Sequence, residues 1–484
     1  MINTNPITEL NLKAQSPKPL VIEGARREIS SGFRESGKWL VILDDDPTGS
    51  QSIQNVPVIT SWTEEDLAWA FSQPSQAFFV LTNSRAMNPQ RAAAVLVEVI
   101  ESVESAARAL NVDYSFVMRT DSTLRGHFEL ETSLLLESAK NLRLPYDLVI
   151  FVPAYLEAGR ITSGDIHFVR TDEVYIPVAE TDYAKDPAFG FESSNLKRYV
   201  EEQTKNRFSG QEVKSVSLED IRLGGPESVT AKFTGAENGQ IFIINAVTEA
   251  DLDVVALAAL ESEKRGKRIL YRTGPTFVAS RLGLAGRPPL SHQEIFAGKP
   301  RSGHGLIIVG SHVEITTKQL AQVRKQTKNL KFIEANVARL LDDKTQAIEV
   351  ERCVTLAAQH ITKSEVLIAT SRQLVSGRNS DESLNIAGTI SGSLVRIAAK
   401  IFELSEVSWL IAKGGITSSD LITEAVQAKR AMVAGQLFPG LVSVWLNQSD
   451  SRSKLVGLPL VVFAGNVGNE DSLASAIEIL RGES

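Results

Sequence analysis

Short apolar runs, each followed by polar residues, alternate with helical patterns along the first half of the chain. Four such runs begin at Trp39, Ala77, Tyr114 and Asp147, and each ends in a polar or charged cluster. Between them, apolar residues recur at spacings of three and four, as in 91–110, which is typical of helices. Because parallel strands bring their carboxyl ends to one edge of a sheet, we expect a single functional edge.

A second α/β series begins after a segment rich in glycine, proline and basic residues at 284–304. Such a segment is the best boundary between domains in the chain. We therefore predict an α/β protein of two domains, 1–290 and 300–484, each an open, mostly parallel sheet flanked by helices. Residues up to about 38 are predicted to form an irregular arm, and residues 170–238 are less regular.

Composition excludes several classes of protein. A chain of 484 residues is too long for one core, and its net charge of −7 argues against nucleic acid or an anionic membrane as main partner. The single cysteine and six scattered histidines offer no metal-ligand spacing. Without an apolar stretch typical of a signal peptide or membrane span, we expect a cytoplasmic protein. A homodimer stays open as its assembly.

The first candidate site is the turn that follows the apolar run WLVIL. It contains Asp44, Asp45 and Asp46, and then Pro-Thr-Gly. One interpretation is an acidic surface turn in which Asp46 caps the next segment. In the other, the carboxylates lie at the ligand-binding edge, where one could accept a proton from an alcohol or hold Mg²⁺ with water and phosphate.

Arginines follow the later strands of the first half. Arg119, Arg125 and Arg160 could bind a substrate carboxylate, since guanidinium matches it with two hydrogen bonds. Asn83 and Asp121 could recognise hydroxyl groups. The alternative for each arginine is a structural ion pair.

The sharpest pattern of the second half is AKGGITSSD, in which a strand ends at Gly414-Gly415 and a helix begins. Free amides at a helix start form an anion site suited to phosphate. Similar small-residue turns occur at Gly310-Ser311 and at 465–468. The chain has neither a Walker A motif nor GxGxxG. A simple turn is the alternative for each, but three together favour a nucleotide pocket.

Taken in order, DDDPTGSQ, TNSR, RTDSTLRGH, EAGRITSGDIHFV, VGSH, AKGGITSSD and AGNVG resemble the four-carbon acid sugar kinase family, from about residue 39 to 480. The resemblance implies an acid-sugar domain followed by a nucleotide domain, with the active site in the cleft between them. It also implies ATP- and Mg²⁺-dependent phosphorylation of the terminal hydroxyl of threonate, erythronate or 3-oxo-tetronate. The chain departs from many members at Arg119, where they carry a lysine.

The motifs and the resemblance together give three sets of candidate residues. Asp45 and Asp46 are the candidate catalytic bases, with no sequence grounds for choosing between them. The predicted acid site consists of Asp44, Asn83, Arg85, Arg119, Asp121, Ser122, Arg125 and Arg160. The predicted nucleotide contacts are Ser311, Lys413, Gly414, Gly415, Ile416, Thr417, Gly465 and Asn466. The sequence identifies no metal ligands.

Two alternatives come from other classes of protein. Asp44 to Thr48 fits the DxDxT loop of haloacid-dehalogenase-type phosphatases, with Asp44 as the nucleophile. That interpretation leaves the AKGGITSS turn and the RTDSTLRG cluster without a role. A non-catalytic sensor of acid sugars and nucleotides would bind both ligands without turnover.

Overall fold

The structure is a computed structural model that describes residues 6–14, 16–50, 52–297, 301–373, 375, 377–378, 380–449 and 453–483. Its internal contacts divide the chain into two compact units. Unit 1 comprises Met1–Asp45 and Trp62–Gly286, and unit 2 comprises Asp46–Ser61 and Arg287–Ser484.

Strands and helices alternate through both units. The strands are β1 Ile7–Thr8, β2 Trp39–Asp44, β3 Val56–Ile59, β4 Ala77–Leu81, β5 Tyr114–Arg119, β6 Leu148–Val152, β7 Arg160–Ser163, β8 Ile166–Thr171, β9 Val174–Pro177, β10 Lys214–Val216, β11 Gln240–Ile244, β12 Ile269–Thr273, β13 His304–Val309, β14 Leu330–Ala335, β15 Glu365–Thr370, β16 Val407–Lys413, β17 Arg430–Phe438, β18 Val442–Asn447 and β19 Pro459–Phe463. The helices are α1 Glu9–Ala14, α2 Ala25–Glu35, α3 Glu64–Phe71, α4 Pro89–Leu110, α5 Phe128–Asn141, α6 Leu196–Gln203, α7 Leu218–Arg222, α8 Gly225–Thr234, α9 Glu249–Lys264, α10 Pro275–Arg281, α11 His292–Ile295, α12 Glu314–Gln326, α13 Val337–Leu341, α14 Gln346–His360, α15 Ser380–Leu404, α16 Gly415–Asp420 and α17 Ser472–Arg481.

The main sheet of unit 1 is parallel, in the order β10-β11-β6-β12-β5-β2-β4. Strand β2 lies between β4 and β5, and its last residue, Asp44, is in register with Leu81 and Arg119. The polar clusters after these strands therefore meet at one edge, as predicted. A separate antiparallel sheet, β1-β9-β8-β7, carries Arg160 at the start of β7.

The sheet of unit 2 is mixed, in the order β3-β17-β18-β19-β16-β13-β15-β14. Strands β19 to β14 in that order are parallel, whereas β3, β17 and β18 pair antiparallel. Strand β16 lies between β13 and β19, so the three small-residue turns that follow these strands are neighbours. Trp409, Phe463 and Ile477 belong to the apolar core that packs against this part of the sheet.

The predicted fold class is confirmed, since each unit holds a largely parallel sheet with helices around it. The arm predicted before residue 38 is wrong in one part, because helix α2 forms there. Its buried residues, Ala25, Ile29, Gly32 and Phe33, form a narrow stripe among charged side chains. Gly32 allows close packing, since a Cβ atom there would lie 2.6 Å from Leu260 Cδ2.

Other differences concern the less regular segments. Residues 170–238 contain helices α6 to α8 as well as strands, and strand β17 was not predicted. Residues 46–61, which the sequence placed in the first domain, pack with unit 2 through β3 and β17. Within the described ranges, no helix is long and apolar enough to cross a membrane.

Candidate active site

Two of the three aspartates of the acidic turn are buried in unit 1 and held by arginines. Asp44 is 1% exposed and accepts a hydrogen bond from Arg119 Nε at 2.6 Å, with a second, shorter contact from Nη2. Asp45 accepts from Arg85 Nη2 at 2.8 Å and Nε at 3.2 Å, a bidentate pair. The surface-turn interpretation therefore does not describe Asp44 and Asp45, because solvated carboxylates would need no such partners.

The loop after β5 surrounds Asp121 with positive charge. Arg125 Nε donates to Asp121 Oδ2 at 2.7 Å, Thr123 Oγ1 also donates to that atom, and Arg85 Nη1 lies 4.0 Å from Oδ1. Burial alone would raise the pKa of Asp121, but Arg125, Arg85 and Arg160 outweigh it and hold the pKa well below its usual range. Asp121 is therefore an ionised acceptor at any physiological pH.

Arg160 differs from the other arginines of this cluster. It is 8% exposed, and its Nη1 donates to Ser122 Oγ at 2.7 Å. Its guanidinium lies 5.4 Å from the ring centre of Tyr155 and 5.7 Å from that of Tyr183. It attracts Asp121 but has no carboxylate within ion-pair distance among the described residues, and its buried Nε has no hydrogen-bond partner there. A buried cation in this state is suited to an anionic ligand.

His167 supports the same loop from beneath. Its ring bridges Thr162 Oγ1 at 2.9 Å and the carbonyl oxygen of Ser122 at 2.7 Å, and the side chain is fully buried. Burial lowers the pKa of His167 to about 4, so the ring is neutral at pH 7. Its two hydrogen bonds hold the loop at Ser122 in place.

Asn83 lies at the turn after β4 in a left-handed conformation, with φ of 53°. Its amide nitrogen donates to the carbonyl oxygen of Asp44 at 3.4 Å. This backbone contact ties the TNSR turn to the acidic turn, so Asn83 and Arg85 flank the same edge as Asp44 and Asp45.

Asp46 belongs to unit 2, although it follows Asp45 directly. Its Oδ1 accepts from Thr48 N at 2.8 Å and Thr48 Oγ1 at 2.5 Å. A Cβ atom at Gly415 would lie 2.6 Å from Asp46 Oδ2. The carboxylate of Asp46 therefore lies against the glycine pair of the AKGGITSSD turn.

The three small-residue turns of unit 2 pack tightly on one another. A Cβ atom at Gly310 would lie 2.1 Å from Thr417 Oγ1, and one at Gly465 would lie 2.3 Å from Ser311 Oγ. Thr316 Oγ1 donates to the carbonyl oxygen of Gly465 at 2.8 Å and to Ser311 Oγ at 3.1 Å. Only glycine allows these turns to approach so closely.

Helix α16 begins at Gly415, the second residue of the glycine pair. Gly414 has φ of 126°, a conformation that favours glycine, and Ser418 Oγ donates to the carbonyl oxygen of Ala412 at 2.7 Å. The predicted residues Ile416 and Asn466 are exposed, whereas Thr417 is buried. The first amides of a helix lack intrahelical acceptors, which suits this turn to phosphate oxygens.

Sequence reasoning missed several residues of these sites. Tyr155 and Tyr183 flank Arg160, and Arg272 pairs with Glu131 at 3.0 Å beneath the TNSR turn, where Ser84 Oγ donates to the same carboxylate. No motif marks the two tyrosines. Arg272 could have been noticed, because it is a charged residue inside the apolar run ILYRT.

The described residues contain no group of three or more histidine, cysteine, aspartate or glutamate side chains placed to hold a metal ion. Mg²⁺ in phosphoryl-transfer sites is usually held by one or two carboxylates together with the phosphates and water. The single carboxylate of Asp46 beside the phosphate-type turn fits that kind of site.

Comparisons with known proteins assign a different ligand to each half of the chain. Residues 40–281 match the family model described as a sugar-binding N-terminal domain, and residues 306–473 match that of a nucleotide-binding C-terminal domain. The chain belongs to the four-carbon acid sugar kinase family. The family predicted from the motifs is thus confirmed, and with it the prediction of a kinase.

Among curated relatives, a D-erythronate kinase of Heliobacterium modesticaldum is 27% identical over 83% of this chain and 86% of its own. A D-threonate kinase of Salmonella typhimurium is 24% identical over 90% of this chain and 97% of its own. A solved Haemophilus influenzae protein of the same family has a TM-score of 0.59 and 18% identity, covering 91% of this chain and 100% of that one. At that identity, the likeness to the solved structure concerns the fold alone.

Proposed function

We propose that this member of the family uses ATP and Mg²⁺ to phosphorylate the 4-hydroxyl of a four-carbon sugar acid, such as threonate, erythronate or 3-oxo-tetronate. The observation that carries the proposal is Arg160, a buried guanidinium without a carboxylate partner in the described chain, beside a polar loop at the edge of unit 1. The names of the curated relatives support the substrate class.

The acid end of the substrate would bind to Arg160. A carboxylate can take two hydrogen bonds from a guanidinium, and it would give Arg160 a carboxylate partner at ion-pair distance. Ionised Asp121 could then accept hydrogen bonds from substrate hydroxyls, with Ser122 beside it. Arg125, already paired with Asp121 at 2.7 Å, would fix that carboxylate rather than contact the acid first.

The nucleotide would bind to unit 2. The amides that follow Gly414 and the neighbouring turns at Ser311 and Gly465 would hold the phosphates, as helix starts do in other phosphate sites. Asp46, which lies against Gly415, would hold Mg²⁺ together with the phosphates. The metal would neutralise charge on the transferred phosphoryl group.

The two candidate bases have different surroundings. Both oxygens of Asp45 accept hydrogen bonds from Arg85, which fixes this carboxylate, and it would orient the reacting hydroxyl only through its remaining lone pairs. Asp46 is the better placed for the metal and phosphates. Phosphoryl transfer depends mainly on positioning and charge neutralisation, so neither residue needs to be a strong base.

The arrangement around Asp44 opposes the phosphatase alternative. A nucleophilic carboxylate must reach the phosphorus atom of its substrate, but Asp44 is buried and held by Arg119. The sensor alternative makes the same contacts with both ligands, so it differs from the kinase only in turnover.

An ADP-release assay tests the proposal, with ATP, Mg²⁺ and a panel of D- and L-threonate, D- and L-erythronate and the 3-oxo-tetronates. We expect turnover with at least one acid and a phosphorylated acid detected by mass spectrometry. Binding of ATP and an acid without turnover would favour the sensor. Phosphate release from sugar phosphates without ATP would favour the phosphatase, and either result would overturn the kinase proposal.

A further inference from the structure

Lys413 connects all three small-residue turns of unit 2. Its carbonyl oxygen accepts from the amides of Gly310 and Ser311, at 3.1 and 3.3 Å. Its Nζ donates to the carbonyl oxygen of Ala464 at 3.0 Å. The next residue, Gly414, donates its amide to Phe463 at 2.9 Å. Lys413, the last residue of β16, thus forms hydrogen bonds with the turns that follow β13 and β19.

The side chain of Lys413 is in an unusual environment for an amine. It is 0% exposed, and its Nζ lies 3.7 Å from the ring centre of Phe463. Among the described residues it forms no ion pair, so the carbonyl of Ala464 and the ring face are its polar contacts. A buried ammonium with so few partners is costly. Burial accordingly lowers the pKa of Lys413 to about 7.

Charged groups on the surrounding elements do not compensate Lys413. Asp46 precedes the turn Pro47–Ser50, His312 follows β13, and Asp420 ends α16, yet none of them contributes to the shift, which has burial as its one cause. A ligand that brought negative charge to the three turns would therefore be the first strong electrostatic partner of this amine.

We propose that Lys413 is a positioning residue that takes up a proton when nucleotide phosphates bind to the turns above it. This inference rests on the proposed nucleotide site, but it assigns Lys413 a role beneath that site instead of direct contact with ATP. The neutral amine accepts one proton from solvent on its lone pair, and no bond in the nucleotide changes. The resulting ammonium donates more strongly to Ala464 and so holds the 464–465 turn in place.

Isothermal titration calorimetry tests this coupling. ATP with Mg²⁺ is titrated at pH 8, without any acid so that no transfer occurs, in two buffers of different protonation enthalpy. The dependence of the observed heat on the buffer gives the number of protons taken up. Because a group with a pKa of about 7 is mostly neutral at pH 8, we expect uptake of about half a proton or more per nucleotide.

Two variants test whether Lys413 is the group that takes up the proton. Lys413→Met cannot take up the proton, and Lys413→Arg carries its charge at every accessible pH, so both should lose the buffer dependence. His312→Gln serves as the matched control, because burial also lowers the pKa of His312, and it should retain the uptake.

Binding of ATP by the unaltered protein without proton uptake would refute this inference and leave the proposed function standing. Uptake that persists in Lys413→Met, or that disappears in His312→Gln, would also refute it. Absence of any ATP binding would instead refute the nucleotide site itself, and this inference with it.

Discussion

Replacement of Arg160 by methionine separates a substrate-binding arginine from a structural one. Truncating one partner of a buried, hydrogen-bonded charge pair costs about 2–5 kcal/mol. If a substrate carboxylate is that partner, kcat/KM for the acid should fall by about 30-fold to several thousand-fold, at 1.36 kcal/mol for each tenfold. Without substrate, the same change removes a buried charge that has no carboxylate within ion-pair distance among the described residues but does attract Asp121, so the free energy of unfolding should change much less than when a paired arginine is lost.

Arg222→Met is the matched control for this experiment. Arg222 is equally buried, but it forms a bidentate pair with Asp251 at 2.7 and 2.8 Å. Breaking that pair should lower the free energy of unfolding by about 3–5 kcal/mol and leave kcat/KM of the folded enzyme unchanged. The two arginines should therefore give opposite results in urea unfolding and in the ADP-release assay.

A four-carbon polyol as substrate distinguishes carboxylate binding from a structural role of Arg160, since threitol or erythritol has the hydroxyls of the acid but lacks the carboxylate. The unaltered enzyme and Arg160→Met should phosphorylate the polyol equally slowly, because the lost interaction involves the carboxylate alone. A loss of similar size for acid and polyol would show that Arg160 merely supports the fold of the loop. An acid kcat/KM within about threefold of the original would refute the carboxylate site outright.

Three further predictions concern other parts of the two sites. Gly465→Ala should raise KM for ATP but not for the acid, because its Cβ would lie 2.3 Å from Ser311 Oγ, and the double variant with Ser311→Ala should recover part of the loss. Asp44→Asn should lower the free energy of unfolding in urea by up to about 3 kcal/mol, since it leaves Asp45, 3.4 Å from Nη2, to balance the charge of buried Arg119, and an unchanged value would contradict the pairing of Asp44 with Arg119. The pKa of His167 is about 4 in the folded protein and 6.5 in its ordinary state, so the unfolded chain binds more protons between pH 6.5 and pH 4. In that range the free energy of unfolding should fall by about 1.4 kcal/mol for each pH unit of acidification. In His167→Gln this part of the pH dependence should disappear.

The strand ends were predictable from the sequence because the apolar runs stop abruptly at charged or glycine residues. The runs ending at Asp44, Arg119 and Lys413 became β2, β5 and β16 with bounds close to those expected. The grouping of their polar residues followed from parallel strands sharing an edge. That argument gives the position of a residue along a strand, but not the direction of its side chain.

Side-chain direction explains what the sequence did not reveal about Lys413. Successive side chains of a strand point to opposite faces of the sheet. A strand that is covered on both faces has no alternation of apolar and polar residues, so its sequence does not show which face a given side chain is on. The sequence predicted Lys413 as a nucleotide contact but could not show that its amine is buried against Phe463. The sequence likewise offered no grounds for separating Asp45 from Asp46, which are adjacent but belong to different units.

The pairing of strands that are far apart in the sequence was the other feature that local patterns could not predict. Strand β3 has four residues and pairs with β17, which lies more than 350 positions later, as in the match of Ile59 with Arg430. Strand β17 alternates buried and partly exposed residues around Gly435, so no apolar run marks it. Such pairings depend on the folded sheet and leave little signal in a short window.

The pairing of β3 with β17 has a practical consequence for isolating the nucleotide-binding part of the molecule. A fragment cut at residue 287 would lack β3 and expose the backbone donors and acceptors of Arg430–Val433, the four residues of β17 that pair with β3. Unpaired edges of this kind recruit strands from other molecules and promote aggregation. A well-behaved fragment must therefore carry residues 46–61, either as a separate peptide that complements the sheet or through a linker that joins them to the rest of unit 2.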